Sequence, residues 1–131
     1  MKKILLVDDE KDMLDIFGTV LSNSGYVVVK AYNGKDGILM AKNQKPDLII
    51  LDIKMPGMDG VAASDILRDD PVTRDIPVIY LSSLVKKEQL KDGFIEGSRI
   101  GDLHFLSKSC SFEQLLAEVK KEIGSPLGDA S

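Results

Sequence analysis

Five short apolar runs, KILLV (3–7), YVVV (26–29), DLIIL (47–51), PVIYL (77–81) and LHFL (103–106), recur along the chain with segments of helical spacing between them. Three of the runs show no alternation of polar and apolar residues, as expected for parallel strands covered on both faces. The first helical segment places Met13, Ile16, Phe17, Val20 and Leu21 on one face, with Gly25 as terminator. The last opens at Ser111 with a Ser-x-x-Gln capping box and carries Phe112, Leu115, Leu116 and Val119 on its apolar side. Weaker helical patterns cover 35–44, 59–69 and 84–100. Strand–helix alternation of this kind specifies an α/β domain with a parallel sheet. With 131 residues the chain is too short for an eight-unit barrel. An open, doubly wound five-stranded sheet with helices on both faces remains.

Composition narrows the setting. Hydrophobic residues make up 44% and charged residues 29%, the balance of a globular domain. A net charge of −4 without Lys/Arg runs argues against direct nucleic-acid binding. Cys110 is the one cysteine, so no intramolecular disulfide forms and a reducing cytoplasm is expected. The opening MKKILLV stops at an acidic triplet, too soon for a signal peptide. No run reaches transmembrane length, so no membrane insertion is expected.

Open α/β sheets bind their ligands beyond the carboxyl ends of the strands. Asp8 and Asp9, Asp52, Ser82 and Lys108 stand at the ends of the first, third, fourth and fifth runs, and so converge on one edge. Clustered carboxylates repel one another unless a cation sits among them, and an all-oxygen donor set suits Mg²⁺. A carboxylate beside such an ion can attack phosphorus. The ion and a lysine would neutralise charge on the phosphoryl oxygens, while a serine hydroxyl could bond the new phosphate.

These residues carry a resemblance. The stretch LDIKMPGMDG (51–60) resembles the phosphoacceptor segment of response-regulator receiver domains, the chemotaxis-Y-like switches of bacterial two-component signalling. VDDE (7–10), PVIYLSS (77–83) and FLSK (105–108) are similar to that family's other signatures, in order and at compatible spacing. The resemblance implies a flavodoxin-like strand order 2-1-3-4-5, a receiver domain over 1–123 and a flexible tail over 124–131. It implies that Asp52 accepts a phosphoryl group from a sensor histidine kinase or phosphotransfer protein. Asp9, Asp52 and the main-chain carbonyl of Lys54 would ligate Mg²⁺, with Asp8 acting mostly through water. Ser82 and Lys108 would contact the phosphoryl oxygens, and Ser82 and Phe105 match the switch positions. Pro56 and Gly57 would shape the metal-facing loop, and Glu10 would only begin the first helix. The face made by the fourth helix, fifth strand and fifth helix would engage a downstream protein, and phosphorylation-dependent dimerisation is compatible with it. No small-molecule turnover beyond self-phosphorylation and self-dephosphorylation is expected. A stand-alone receiver is the expected organisation, and a receiver excised from a larger regulator is the alternative.

Two departures stand out. Ser109 follows Lys108 where the family usually has proline in a cis peptide, and a cis bond at serine costs about 2.5–4 kcal/mol. The approach EGSRIGDLHFLSK (96–108) is also longer than usual, with Gly97 and Gly101 competing for one glycine role.

Plainer readings compete for each residue. The acids could be solvated strand ends, Ser82 and Ser83 helix caps, Lys108 a surface lysine and Phe105 core. His104 lies in a strand and is read as structural, and Cys110 as a loop or helix-start residue. A haloacid-dehalogenase-type phosphotransferase would use an Asp-x-Asp at the first strand, where this chain has Asp8 and Glu10. A flavodoxin-like electron carrier would need a phosphate loop where these acids stand. A phosphorylation-independent pseudo-receiver is the third alternative.

Overall fold

The computed structural model describes residues 1–54, 57, 60–82, 99–100 and 103–126. Pro56, Ser83, Leu84, Gly97, Gly101 and most of the helical pattern at 84–100 lie outside the described residues. Its strands are β1 (Lys3–Val7), β2 (Val27–Ala31), β3 (Leu48–Asp52), β4 (Val78–Ser82), β5 (Arg99–Ile100) and β6 (Leu103–Ser107). Its helices are α1 (Lys11–Asn23), α2 (Gly34–Gln44), α3 (Gly60–Asp69) and α4 (Phe112–Ile123).

The sheet runs β2-β1-β3-β4-β6-β5. Its first five members are parallel and follow the expected order, with β6 as the expected fifth strand. The longer approach to that strand adds β5, which pairs antiparallel with β6 through Arg99↔His104 and Ile100↔Leu103.

Both sheet faces are apolar, which explains the unalternated runs. In β1, Ile4 and Leu6 point into one core with Leu14, Phe17 and Leu21 of α1 and Leu115 and Val119 of α4. Leu5 and Val7 point into a second core with Ile38 and Ala41 of α2 and Ala63 and Leu67 of α3. Successive strand residues alternate between faces, so every position of β3 is buried.

The helix faces differ from expectation in two places. The buried stripe of α1 is Leu14, Phe17, Gly18 and Leu21, whereas Ile16 is 46% exposed. Ile16 lies roughly 200° around the helix from Leu14, so it cannot share that stripe. Phe112 is 51% exposed, because the buried stripe of α4 turns instead toward Leu115, Glu118 and Val119. The α4 cap is also only half a capping box. Ser111 Oγ accepts from the Gln114 N–H at 3.0 Å, but the Gln114 side chain donates to Glu118 Oε1 at 3.1 Å.

Gly25, at φ 103°, ends α1 in a conformation that favours glycine. Residues 124–126 lie against the domain. Pro126 C=O accepts from the Lys2 N–H at 2.8 Å, and Gly124 C=O from the Tyr26 hydroxyl at 2.9 Å.

Candidate functional site

Strand polarity brings the ends of β1, β3, β4 and β6 to one edge. Asp8 and Asp52 are each 1% exposed, while Asp9 beside them is exposed. One carboxylate oxygen from each of the three lies within 4.8 Å of the others. Ser82, buried at the end of β4, accepts the Lys108 N–H through its backbone carbonyl at 3.0 Å. That bond continues the parallel ladder one residue past β6 and sets Lys108 beside the acids.

The Lys108 ammonium donates to Asp52 Oδ2 at 3.0 Å and to Glu10 Oε1 at 2.8 Å. It also lies 3.2 Å from Asp8 Oδ2 and 3.4 Å from Asp8 Oδ1. Asp8 Oδ1 accepts the Glu10 N–H at 2.9 Å, which turns the chain into α1, and Asp52 Oδ1 accepts the Lys54 N–H at 3.2 Å. Asp8 Oδ2 is close enough to Lys108 to feel its charge but receives no aligned hydrogen bond, so it is a buried carboxylate oxygen without a donor.

The electrostatics follow from this geometry. Burial pushes Asp8 up from 3.8 to about 6; the Glu10 N–H opposes that, the Asp52 charge reinforces it, and Lys108 opposes it. Burial likewise raises Asp52 above the usual carboxylate range against the pull of Lys108. Burial alone would lower Lys108, but its bonds to Glu10 and Asp52 and the charges of Asp8 and Asp52 outweigh that and raise it. One ammonium is therefore shared among more carboxylates than it can neutralise. Hard oxygen donors, one of them buried without a donor, fit a hard divalent cation.

Two residues matter more at this site than their sequence context suggests. Glu10, read as only beginning α1, makes the shortest contact to Lys108. A carboxylate two positions beyond a strand-end acid gave no signal of this by itself. Gly60 closes the phosphoacceptor-like segment, and its N–H donates to Ile53 C=O at 2.8 Å. A Cβ there would lie 2.3 Å from the Asp52 carbonyl oxygen, so only glycine lets α3 start against the strand that carries Asp52.

Phe105 is half-buried, with its ring 5.4 Å from that of Tyr80, its register partner on β4. The Tyr80 hydroxyl in turn bonds Ser64 Oγ on α3. The peptide bonds at Lys108 and Ser109 are trans, and the turn closes through Cys110 N–H to Ser107 C=O at 3.0 Å and Ser109 N–H to Ser107 Oγ at 3.0 Å. His104 points away from the acidic edge and is buried between two α4 carboxylates. Its Nδ1 is 2.6 Å from Glu122 Oε1 and its Nε2 2.8 Å from Glu118 Oε2.

Comparison with known proteins agrees with this geometry. The response regulator receiver domain family matches over residues 4–120. The protein PilH of Pseudomonas aeruginosa is 37% identical over 119 residues, covering 91% of this chain and 95% of PilH. The phosphate regulon transcriptional regulatory protein PhoB of the same species is 34% identical over 91% of this chain, which spans only 50% of PhoB. Chemotaxis protein CheY4 of Vibrio cholerae superposes with a TM-score of 0.78 at 26% identity, covering 93% of this chain and 98% of CheY4. Fold, acidic edge and sequence relatives coincide: the chain belongs to the response regulator receiver domain family of two-component signalling.

Proposed function

We propose that this receiver domain is a phosphorylation-dependent switch in which Asp52 accepts the phosphoryl group of a kinase phosphohistidine. The observation that carries it is a buried Asp52 carboxylate 3.0 Å from Lys108, with oxygens of Asp8 and Asp9 within 4.8 Å. An Asp52 oxygen forms the new O–P bond as the P–N bond to the histidine breaks, and the departing imidazole keeps the electron pair and takes a proton. Asp9, Asp52 and the Lys54 carbonyl would hold Mg²⁺, and Asp8 would act through water. Bound there, Mg²⁺ supplies charge neutralisation for the phosphoryl oxygens. Lys108 stabilises the same oxygens from the other side, and the Ser82 hydroxyl bonds one of them after transfer.

Phosphorylation adds roughly −1.5 to −2 charges at the sheet edge. Ser82 and Lys108 are drawn toward the phosphoryl group, and Phe105, one strand over, follows as the β6–α4 face shifts toward the form that a downstream protein recognises. The domain over 1–123 acts as one unit of this switch, in the cytoplasm, without turnover of a separate small-molecule substrate. The phosphotransferase alternative would need an Asp-x-Asp at the end of β1, where this chain has Asp8 and Glu10.

Incubation with acetyl phosphate and Mg²⁺ tests the assignment by intact mass. Wild-type protein gains one phosphoryl group, and Asp52→Asn gains none. Undiminished labelling of Asp52→Asn would overturn it.

A further inference from the structure

The Lys108 ammonium and a divalent cation need the same carboxylates. Lys108 touches Asp8 and Asp52, which are also two of the three clustered acids. Its shortest contact, however, is to a carboxylate outside that cluster, Glu10 at 2.8 Å. Glu10 is 59% exposed at the start of α1, whereas the Lys108 side chain is only 9% exposed. A cation entering the cluster raises the cost of keeping a second positive charge on Asp8 and Asp52. Where the ammonium goes then decides how much of the cation's binding free energy survives.

We propose that Glu10 is a positioning residue for Lys108, the berth that keeps the ammonium beside Asp52 when a divalent cation takes over the acids. This rests on the reading of Asp8, Asp9 and Asp52 as a Mg²⁺ site. Lys108 gives up Asp8 and Asp52 but stays on Glu10, at the mouth of the site, from which it returns to phosphoryl oxygens. Without Glu10 the displaced ammonium has no other carboxylate partner among the described residues, and its retention on Asp8 and Asp52 competes directly with the cation.

A double-mutant cycle on Mg²⁺ affinity, read by isothermal titration calorimetry without any phosphodonor, separates this from simple loss of charge. Removing one negative charge near a divalent ion, screened by salt, weakens binding about threefold whether or not a lysine is present. Glu10→Gln in the wild-type background should weaken Mg²⁺ about tenfold, because the ammonium also loses its berth. Glu10→Gln in a Lys108→Met background should cost only the threefold, and Lys108→Met alone should tighten Mg²⁺ binding. Equal losses from Glu10→Gln in both backgrounds, or no loss in either, would overturn the inference while leaving the Mg²⁺ site intact. If wild-type protein binds no Mg²⁺, the underlying reading fails instead.

Discussion

Asp8→Asn should make the metal-free protein more stable. Asp8 is 1% exposed, its Oδ2 receives no aligned donor, and its carboxyl is pushed from 3.8 to about 6. A folded-state value above the unfolded one means that the native state binds this proton more tightly. Asp8 therefore contributes stability that is fully present below about pH 4 and is lost as pH rises through about 6. A shift of this size corresponds to ~3 kcal/mol of penalty for the ionised form at neutral pH. Asparagine keeps an oxygen for the Glu10 N–H and removes the charge, so a gain of about 2–3 kcal/mol is expected, or ~10 °C in Tm for a domain of this length. Urea and thermal unfolding in excess chelator measure it. The gap between Asp8→Asn and wild type should open as pH rises from about 4 to 6, and saturating Mg²⁺ should close it by stabilising wild type more. An Asp8→Asn protein no more stable than wild type in chelator at neutral pH would refute the electrostatic reasoning.

Gly60→Ala puts a methyl group against the Asp52 carbonyl, so either α3 or the end of β3 must move. A loss of about 1–3 kcal/mol in urea unfolding is expected, together with slower acetyl phosphate labelling, and a change below ~0.5 kcal/mol would contradict the close approach. His104→Leu removes one partner each from buried Glu118, which keeps Gln114 and Lys121, and from Glu122, and should cost about 2–3 kcal/mol in chemical denaturation. A cost under ~1 kcal/mol would mean that α4 docks without this cluster.

The strands were legible because a doubly covered parallel sheet demands continuous apolar runs, and the apolar part of DLIIL, Leu48–Leu51, lies within the fully buried β3. The acidic edge was legible for a related reason, since strand polarity alone collects Asp8, Asp9, Asp52, Ser82 and Lys108. Helix faces were less so. In α1 the apolar residues wrap far enough round the helix that Ile16 and Leu14 look equally eligible, and only packing against β1 and β2 chooses Leu14. In α4 the pattern misled for a chemical reason, because Glu118 is 1% exposed and is kept there by His104, Gln114 and Lys121. Polarity predicts exposure until a buried partner supplies the missing charge. Glu10 illustrates a further limit, since its contact to Lys108 spans 98 residues of sequence that no local pattern encodes.

The two-residue strand β5 bears on how the molecule meets its neighbours. A parallel sheet ending at a full-length strand presents a row of unpaired backbone groups onto which another chain can add. Here β5 covers that border at Leu103 and His104, through Ile100 and Arg99, and a strand of two residues is too short to template growth in its turn. The opposite border, β2, is five residues long, carries Lys30 and is mostly half-buried or exposed. One border of the sheet is thus shielded at the start of β6 by a strand too short to extend, and the other carries the Lys30–Asp15 ion pair at 3.4 Å beside its open strand.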